Sequence, residues 1–322
     1  MTQQCFSANG KLLLTGEYLV LHGALALALP TTLGQSMSME TTNDTLIQWD
    51  AYAPEGPWFS ATLEPQTLEI QHTDDVSKAN KLSSILKAVQ SLNPDAFVPG
   101  LHFTTRLSFN PSWGLGSSST LISNLARWAG VDPYLLLKNT LGGSGYDIAC
   151  ATANSPIFYR VELERPVSSP AYFAPQYDDH LFFVYLGKKQ HSSTEVAGFN
   201  ERWQHYDFQG DIETVSEISR SLPAVKTLDD FRNFIDIHED ILAHCLGREP
   251  VSTLFPDFEG SLKSLGAWGG DFILAATPWP FEKVKSFFHR YGLDVIFKYN
   301  ELIANNITDN TIYGTSMDQR SL

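Results

Sequence analysis

Cysteine is scarce in this chain of 322 residues, which contains three of them, at positions 5, 150 and 245. They lie far apart and form no C-x-x-C pair, so neither a disulfide framework nor a zinc cluster is expected. A reduced, cytoplasmic setting suits this cysteine usage best.

Positive charge is scarce too, because 22 Lys and Arg stand against 36 Asp and Glu and give a formal net charge of -14. Without a block of Lys or Arg, nucleic acid and anionic membranes are not expected as partners. The apolar segment 18–29 is too short to cross a bilayer, and His22 and Gly23 interrupt it. No basic segment precedes it, so we expect neither a signal peptide nor a membrane anchor.

Apolar residues are plentiful, at 43% of the chain, and the length suits two domains. Helical spacing and alternating strand patterns occur in both halves, which predicts two α+β domains. The Pro-rich segment 164–175 is the best candidate for a linker. We therefore predict an N-terminal domain over 1–168 and a C-terminal domain over 169–322.

Glycine and serine are concentrated in "PSWGLGSSSTLISNLARWAG", residues 111–130, directly before a helical pattern. The first N–H groups of a helix have no intrahelical partner and, with the helix dipole, favour an anion. Glycines let the backbone approach a ligand closely, and serines add hydroxyl donors. Phosphate binding and plain helix capping both remain open for the residues concerned, which are Gly114, Leu115, Gly116, Ser117, Ser118 and Ser119.

Familiar nucleotide and metal motifs do not fit the sequence. The Walker A motif fails because Leu12 follows the lysine of "NGKL", and a dinucleotide fingerprint would need glycine where Ser119 stands. The segment "HEDILAH" lacks the zinc-binding spacing, because Leu242 occupies the place of the second histidine. His238 and His244 are six residues apart and lie on different faces of a helix, so we expect ordinary surface or half-buried histidines.

Four segments, in order along the chain, resemble motifs of the GHMP kinases, the family of galactokinase, homoserine kinase, mevalonate kinase and phosphomevalonate kinase. They are "GKLLLTGEYLVLHGALALALP", "PSWGLGSSST", "GSGYDIACA" and "KSLGAWGGDF". The resemblance implies a ribosomal-protein-S5-domain-2-like N-terminal domain, a ferredoxin-like C-terminal domain and ATP in the cleft between them.

The resemblance also implies catalytic roles. The backbone of residues 114–119 would hold the ATP phosphates, and Ser118 would be the serine nearest Mg²⁺. Asp147 would accept or orient the proton of the attacking hydroxyl, and Lys11 would keep that carboxylate ionised and offset charge on the transferred group. Taken without the family, Asp147 could be a helix cap, Lys11 a solvated strand lysine and Ser118 a capping hydroxyl.

The sequence supports residues that would bind the acceptor substrate less strongly than it supports the catalytic residues. The resemblance places a supporting set around the acceptor, namely Glu17, Ser144, Gly145, Gly266, Gly269 and Gly270. Glu17 could equally be structural. The most basic short tract, "GKKQHSSTE", could bind an anionic acceptor or form an exposed turn; its residues of interest are Lys188, Lys189, His191, Ser192 and Ser193.

The sequence departs from the family pattern at several positions. Asn9 replaces a proline before Gly-Lys, and Ser119 and Thr120 replace two alanines. Trp268 replaces a glycine in "KSLGAWGGDF", where it could fill part of the acceptor pocket or stack on another group. The segment "VDPYLLLKNTL" lacks the metal-binding Glu of mevalonate kinases, which favours the phosphomevalonate kinase pattern.

The sequence therefore predicts an enzyme that uses ATP and Mg²⁺ to phosphorylate mevalonate or phosphomevalonate by direct in-line transfer. Its partner would be a small-molecule alcohol or phosphate, and a homodimer is compatible with the prediction. Two alternatives remain open, a homoserine or sugar kinase of the same family and a catalytically degenerate nucleotide- or metabolite-binding protein.

Overall fold

A computed structural model describes residues 3–187, 192–266, 268 and 271–305, with the backbone only for 192–197. Within these residues the strands form two sheets, one for each half of the chain. The architecture is α+β, as predicted.

The N-terminal sheet is mixed. Its strands follow the order β5-β4-β3-β6-β2-β7-β8, and β1 pairs antiparallel with β2 off this path. One pair, β3 with β6, is parallel. The strand bounds are β1 Gln4–Thr15, β2 Ala26–Thr41, β3 Ile47–Ala53, β4 Gly56–Leu63, β5 Ile70–Thr73, β6 Leu101–Leu107, β7 Ile157–Glu162 and β8 Arg165–Pro170.

Helices of the N-terminal half begin and end largely where capping chemistry predicts. Helix α3 starts with Asp132, whose side chain accepts two backbone N–H bonds, followed by Pro133. Gly130 ends α2 in the left-handed conformation, with φ 65°. The helices are α1 Val76–Leu92, α2 Ser117–Ala129, α3 Pro133–Lys138 and α4 Tyr146–Thr152, preceded by a 3₁₀ turn at Leu19–His22.

The C-terminal sheet is antiparallel with the order β10-β11-β9-β12. Its strands are β9 Leu181–Tyr185, β10 Ser261–Leu265, β11 Phe272–Ala276 and β12 Ile296–Lys298. The helices are α5 Ser192–Trp203, α6 Gln209–Ser221, α7 Leu228–Leu246, α8 Phe281–His289 and α9 Tyr299–Leu302. With α5–α7 between the first two strands and α8 before the last, the connectivity is the predicted ferredoxin-like βαββαβ arrangement.

One hydrophobic cluster joins the two sheets. Leu12 and Leu29 of the N-terminal sheet share it with Phe183, Phe272 and Leu274 of the C-terminal sheet, and all five are buried. Burial of apolar area at roughly 25 cal/mol per Å² makes such a shared core a strong link. The sheets are therefore packed together and not merely tethered.

The segment expected to be a linker is largely a strand. Residues Arg165–Pro170 form β8, an exposed edge strand that pairs antiparallel with β7. Its two prolines suit an edge position, where a missing N–H breaks no ladder bond. The predicted domain boundary at 168/169 falls inside this strand, and the division of the chain at that point stays a prediction.

Two further expectations concern membranes and disulfides. No helix of the described residues combines the length and the apolar character needed to span a bilayer. Cys5, Cys150 and Cys245 are all free.

Candidate active site

The loop before α2 forms an open cradle of backbone N–H groups. Gly114 and Gly116 both adopt positive φ, 68° and 97°, which the glycines permit without strain. Gly116 is the N-cap of α2, and no side chain caps the helix there. The first N–H groups of α2 are thus free of a capping side chain, as an anion site requires.

Strand β1 is fastened to this loop through its backbone. The N–H of Lys11 donates to the carbonyl of Leu115 at 2.9 Å. A Cβ at Gly10 would lie 2.7 Å from the same carbonyl oxygen, so only glycine allows this approach. The "NGK" segment therefore places the Lys11 side chain beside the loop before α2.

Lys11 lies within a group of acidic and phenolic side chains. Its ammonium lies over the Tyr146 ring, 5.7 Å from the ring centre. Burial works to lower the pKa of Lys11, but Tyr146, Asp271 and Asp147 outweigh it and raise that pKa. Lys11 therefore stays charged at neutral pH, and its half-buried side chain lies against Gly116.

Asp147 faces the same group from the first turn of α4. Gly145, not Asp147, is the N-cap of that helix, so the capping interpretation of Asp147 is wrong. The carboxylate accepts a hydrogen bond from the backbone N–H of Ile148 at 3.0 Å, while the hydroxyl of Ser119 donates to the Gly116 carbonyl. Burial raises the pKa of Asp147, whereas Lys11 opposes that rise.

Asp271 completes the group from the other half of the chain and was not predicted. It directly precedes β11, is 6% exposed, and accepts a backbone bond from the N–H of Leu186. A Cβ at Gly114 would lie 2.2 Å from its Cγ, so the carboxylate packs against the loop before α2. The sequence offered a hint, because Asp271 lies in the motif "KSLGAWGGDF".

A second lysine approaches the cradle from α1. The Lys81 ammonium donates to the Ser118 hydroxyl at 3.1 Å. Lys81 is 37 positions before Ser118 and belongs to no recognised motif. The amphipathic pattern of α1 places Lys81 on the exposed side of this helix. Its contact with Ser118 follows only from the packing of α1 against α2.

Solved structures supply the comparison. Mevalonate kinase of L. major in complex with R-mevalonate is 17% identical, with 94% of this chain and 96% of that chain covered at a TM-score of 0.66. Streptococcus pneumoniae phosphomevalonate kinase in complex with phosphomevalonate and AMPPNP is 16% identical, with 92% and 99% covered and a TM-score of 0.65. Lactococcus lactis galactokinase complexed with galactose is 13% identical, with 94% of both chains covered and a TM-score of 0.65.

The chain has the GHMP kinase fold. The sequence matches no protein-family model and no curated protein. The fold expected from the motifs is thus confirmed, and at these identities the acceptor is not decided by the likeness.

Within this GHMP fold, tyrosines hold the Gly-Ser turn before Asp147. The Tyr159 hydroxyl donates to the Ser144 carbonyl. A Cβ at Gly145 would meet Tyr134 at 3.0 Å and the Tyr159 hydroxyl at 3.1 Å. The turn is therefore held firmly where it leads into α4, and the acceptor-binding role of Ser144 and Gly145 stays a prediction.

Glu17 lies in a buried ion pair. It is 3% exposed, and its Oε1 lies 2.5 Å from the Lys263 ammonium on β10. His238 is also buried, contrary to the expectation of a surface or half-buried residue, and its Nε2 accepts the N–H of Gly16 at 2.9 Å. These contacts describe a structural link between the two halves, and a substrate role for Glu17 stays a prediction.

Trp268 packs into a hydrophobic cluster and is 5% exposed. Its neighbours in that cluster include Tyr18, Leu19, Phe199 and Leu242. Its backbone N–H donates to the Tyr18 hydroxyl at 2.8 Å. The side chain thus serves as core between the first motif and the helices of the C-terminal half.

Other departures from the family pattern also have local explanations. The Asn9 amide donates to the Ala153 carbonyl at 2.8 Å and so joins β1 to the end of α4. The Thr120 hydroxyl contacts the Gly116 carbonyl at 3.0 Å within the first turn of α2.

Some predicted residues lie outside the described structure. These are Lys188, Lys189, His191, Gly269 and Gly270, together with the side chains of Ser192 and Ser193. Gly266 is described and ends β10 with φ 75°. The acceptor-binding role of all these residues stays a prediction.

Proposed function

We propose that this protein is an ATP-dependent kinase that phosphorylates mevalonate or phosphomevalonate. The observation that carries the proposal is the meeting of Lys11 and Asp147 at the loop before α2, since the N–H of Lys11 donates to the Leu115 carbonyl and the charge of Asp147 acts on the Lys11 ammonium. This arrangement supplies a phosphate cradle, a fixed cation and a proton acceptor at one place.

The phosphate cradle would position the nucleotide. The N–H groups at the start of α2 would bind its phosphates, and Lys11 would attract the oxygens of the transferred group. Lys81, through its contact with Ser118, would add a second positive charge. Such fixed charges favour a transition state in which negative charge spreads over the transferred phosphoryl oxygens.

Asp147 would receive the proton of the acceptor hydroxyl. The acceptor oxygen forms a bond to the γ-phosphorus, the bond to the bridging oxygen of ADP breaks, and the hydroxyl proton passes to the carboxylate. Burial raises the pKa of Asp147 and so makes its carboxylate a stronger base, while Lys11 keeps the ionised form accessible. A phosphate acceptor would use the same geometry with a phosphate oxygen as the nucleophile.

Magnesium would be held beside the cradle by oxygen atoms, since the N–H groups of the cradle bind anions and not cations. Within the described residues no group of three His, Cys, Asp or Glu side chains could hold a metal ion. A magnesium ion would therefore depend on nucleotide phosphates, water and the Ser118 hydroxyl, which is a common arrangement for this ion. When bound it would neutralise phosphate charge.

The acceptor class is inferred from sequence pattern and fold together. "GSGYD" resembles the phosphomevalonate kinase segment more than those of sugar or homoserine kinases. The solved neighbours include proteins whose ligands are R-mevalonate and phosphomevalonate, although galactose also occurs among them. Mevalonate and its phosphate are therefore the acceptors that we would test first.

The decisive experiment measures ADP release from MgATP with mevalonate, 5-phosphomevalonate, homoserine or galactose. We expect turnover with one of the first two and its loss in Asp147→Asn. Turnover with homoserine or galactose would replace the proposed acceptor. No turnover with any acceptor, despite ATP binding measured by calorimetry, would favour the catalytically degenerate binding protein.

A further inference from the structure

The loop before α2 carries a tryptophan, Trp113, directly ahead of Gly114. Turn chemistry favours Gly, Pro and small polar residues in such a loop and does not explain a large indole there. The ring is half-buried and packs against the hydrophobic cluster that the two sheets share. Trp113 thus extends from the N-terminal half, to which the loop belongs, toward the C-terminal sheet.

Three aromatic side chains of the C-terminal sheet contact this indole. Tyr185 on β9 pairs directly with Phe272 on β11, and Phe297 on β12 pairs with Phe183, two residues before Tyr185. Because alternate residues of a strand point to the same side, these rings share one face of the sheet. We call Tyr185, Phe272 and Phe297 the aromatic cluster. Their ring centroids lie 6.2, 6.4 and 5.4 Å, in that order, from the centroid of Trp113.

The contact between Trp113 and the aromatic cluster is directional. The indole meets Phe297 and Phe272 at interplanar angles of 69° and 88°, which are edge-to-face arrangements that aromatic quadrupoles favour. In addition, the Tyr185 hydroxyl donates to the backbone carbonyl of Ser112 at 3.1 Å. Strand β9 therefore holds the backbone just before Trp113 as well as the indole itself.

The other side of the loop is held by the N-terminal half. Leu115 is buried, and its carbonyl accepts the N–H of Lys11 at 2.9 Å. Only Gly114 separates this anchor from Trp113, and Gly116 follows it at φ 97°. Glycine has more conformational freedom to lose than any other residue, so this backbone has little stiffness of its own. Its shape therefore depends on contacts from both halves of the chain.

We propose that Trp113 is a positioning residue, and that its contact with the aromatic cluster holds the loop before α2 in the shape that binds nucleotide phosphates. The inference rests on the proposed function, because it presupposes a nucleotide at this loop. A loop that adopts the binding shape for only a fraction of the time loses apparent affinity by that fraction. The C-terminal sheet thereby sets the affinity of a loop that belongs to the N-terminal half.

Calorimetry with AMPPNP and Mg²⁺ tests the proposal in the wild type, Trp113→Ala and Trp113→Phe. We expect Kd to rise about tenfold in Trp113→Ala, as for a loop that keeps the binding shape about one tenth of the time. Trp113→Phe retains an aromatic edge toward the cluster and should recover most of the affinity. A wild-type Kd in Trp113→Ala would overturn the inference.

Trp128 supplies the matched control at the opposite end of α2. It is also half-buried, and its ring packs 4.8 Å from Phe103 and 5.4 Å from Phe97, both in the N-terminal half. Trp128→Ala should lower the melting temperature and leave Kd for AMPPNP unchanged. An equal rise of Kd in both alanine variants would show a general loss of structure and contradict the positioning role.

A double-variant cycle tests whether Trp113 acts through the aromatic cluster. Phe297→Ala removes the nearest ring of the cluster. The double variant Trp113→Ala, Phe297→Ala should bind AMPPNP no more weakly than Trp113→Ala alone, since both changes break the same contact. Additive losses would show that the two residues act independently and would refute the proposed coupling.

Hydrogen exchange gives a readout without nucleotide. Backbone amides of residues 114–118 should exchange faster in Trp113→Ala than in the wild type, whereas those of β6 keep their wild-type rates. Unchanged exchange at 114–118 would mean that Trp113 does not hold the loop.

A milder variant covers the case in which Trp113→Ala does not fold. Tyr185→Phe keeps the ring and removes only the hydroxyl that contacts Ser112. Kd for AMPPNP should rise severalfold, because the loop loses one of its two contacts with the C-terminal sheet. A wild-type Kd in Tyr185→Phe would count against an anchor from that sheet.

The two proposals fail in different ways. If the wild type binds no AMPPNP, the proposed function fails and this inference falls with it. If the wild type binds AMPPNP and turns over an acceptor while Trp113→Ala does the same with equal affinity, only the inference about Trp113 fails.

Discussion

Glu17 and Lys263 form an ion pair 246 residues apart in the sequence, with 2.5 Å between Oε1 and Nζ. Glu17 lies at the start of the turn after β1, and Lys263 lies in the middle of β10. Both side chains are almost fully buried. The pair therefore connects the strand that carries Lys11 with the strand that leads toward Asp271.

Breaking this pair from one side should destabilise the protein severely. Lys263→Met leaves the Glu17 charge buried and unpaired, and we expect the free energy of unfolding to fall by about 3–5 kcal/mol. The double variant Glu17→Gln, Lys263→Met should recover much of that loss. Denaturant titrations measure the free energy of unfolding of the single and the double variant.

Arg220→Met, which breaks an exposed pair with Glu217, is the control, and its free energy of unfolding should fall by about 1 kcal/mol or less. Equal losses in the single and double variants would contradict the prediction.

His238 should make stability depend on pH. Burial, and secondarily the Lys263 charge, hold the pKa of His238 well below its usual value. At this histidine the unfolded chain therefore binds more protons than the folded one below about pH 6.5. The contribution of His238 to the free energy of unfolding should thus decrease as the pH falls from 7 to 5, whereas the raised pKa values of the buried Glu17 and Glu239 act in the opposite direction.

Thermal melts over that pH range would measure the His238 effect. His238→Gln keeps an acceptor for the Gly16 N–H but does not titrate, so its stability should depend less on pH than that of the wild type. The exposed His205→Gln variant should behave as the wild type does. The same pH dependence in all three proteins would contradict the assignment.

The pH dependence of turnover should follow the ionisation of the Asp147 carboxylate. Burial raises the pKa of this carboxylate, and the reaction needs it ionised. Activity should therefore decline on the acidic side at a pH above the usual range for aspartate, about 3.9. The measurement is kcat/KM of the wild type against pH.

Asp147→Asn should lower kcat by about 10²-fold or more while AMPPNP affinity changes little. A variant with wild-type kcat would exclude Asp147 as the proton acceptor.

Gly114→Ala should abolish nucleotide binding. Its methyl group would lie 2.2 Å from the Asp271 carboxylate, so either the loop or Asp271 must move. Gly130→Ala is a matched control, because φ is similar at 65° and a Cβ there would meet nothing within 4 Å. AMPPNP binding by calorimetry should be lost in the first and retained in the second. Both variants should be less stable, since each places alanine at positive φ. Retained binding by Gly114→Ala would argue against this packing.

Lys81→Met should weaken nucleotide binding. It removes the charge that contacts Ser118, and we expect a severalfold higher Kd for AMPPNP that diminishes as salt is added. Lys87→Met, on the same helix but six positions away, is the control and should bind as the wild type does. The same Kd in both variants would show that Lys81 makes no contribution to the phosphate site.

Local sequence determined the parts of the site that depend on short-range chemistry. Gly114 and Gly116 predicted a backbone at positive φ before α2, and Asp132-Pro133 predicted the start of α3. These predictions succeeded because caps and glycine turns act over a few residues. The convergence of Lys11 and Asp147 was predicted from family resemblance, since no local rule brings together residues 136 positions apart.

Only the tertiary structure decided the long-range contacts. Trp268 interrupts a glycine motif, and the sequence left open whether it fills part of the acceptor pocket or packs on another group; it packs with Tyr18 in a buried cluster. Lys81 and Asp271 reach the phosphate loop from a different helix and a different sheet, and the Glu17–Lys263 pair forms across the halves. The physical reason is that spacing along a chain sets helix and strand faces, whereas the packing of whole elements sets which faces meet.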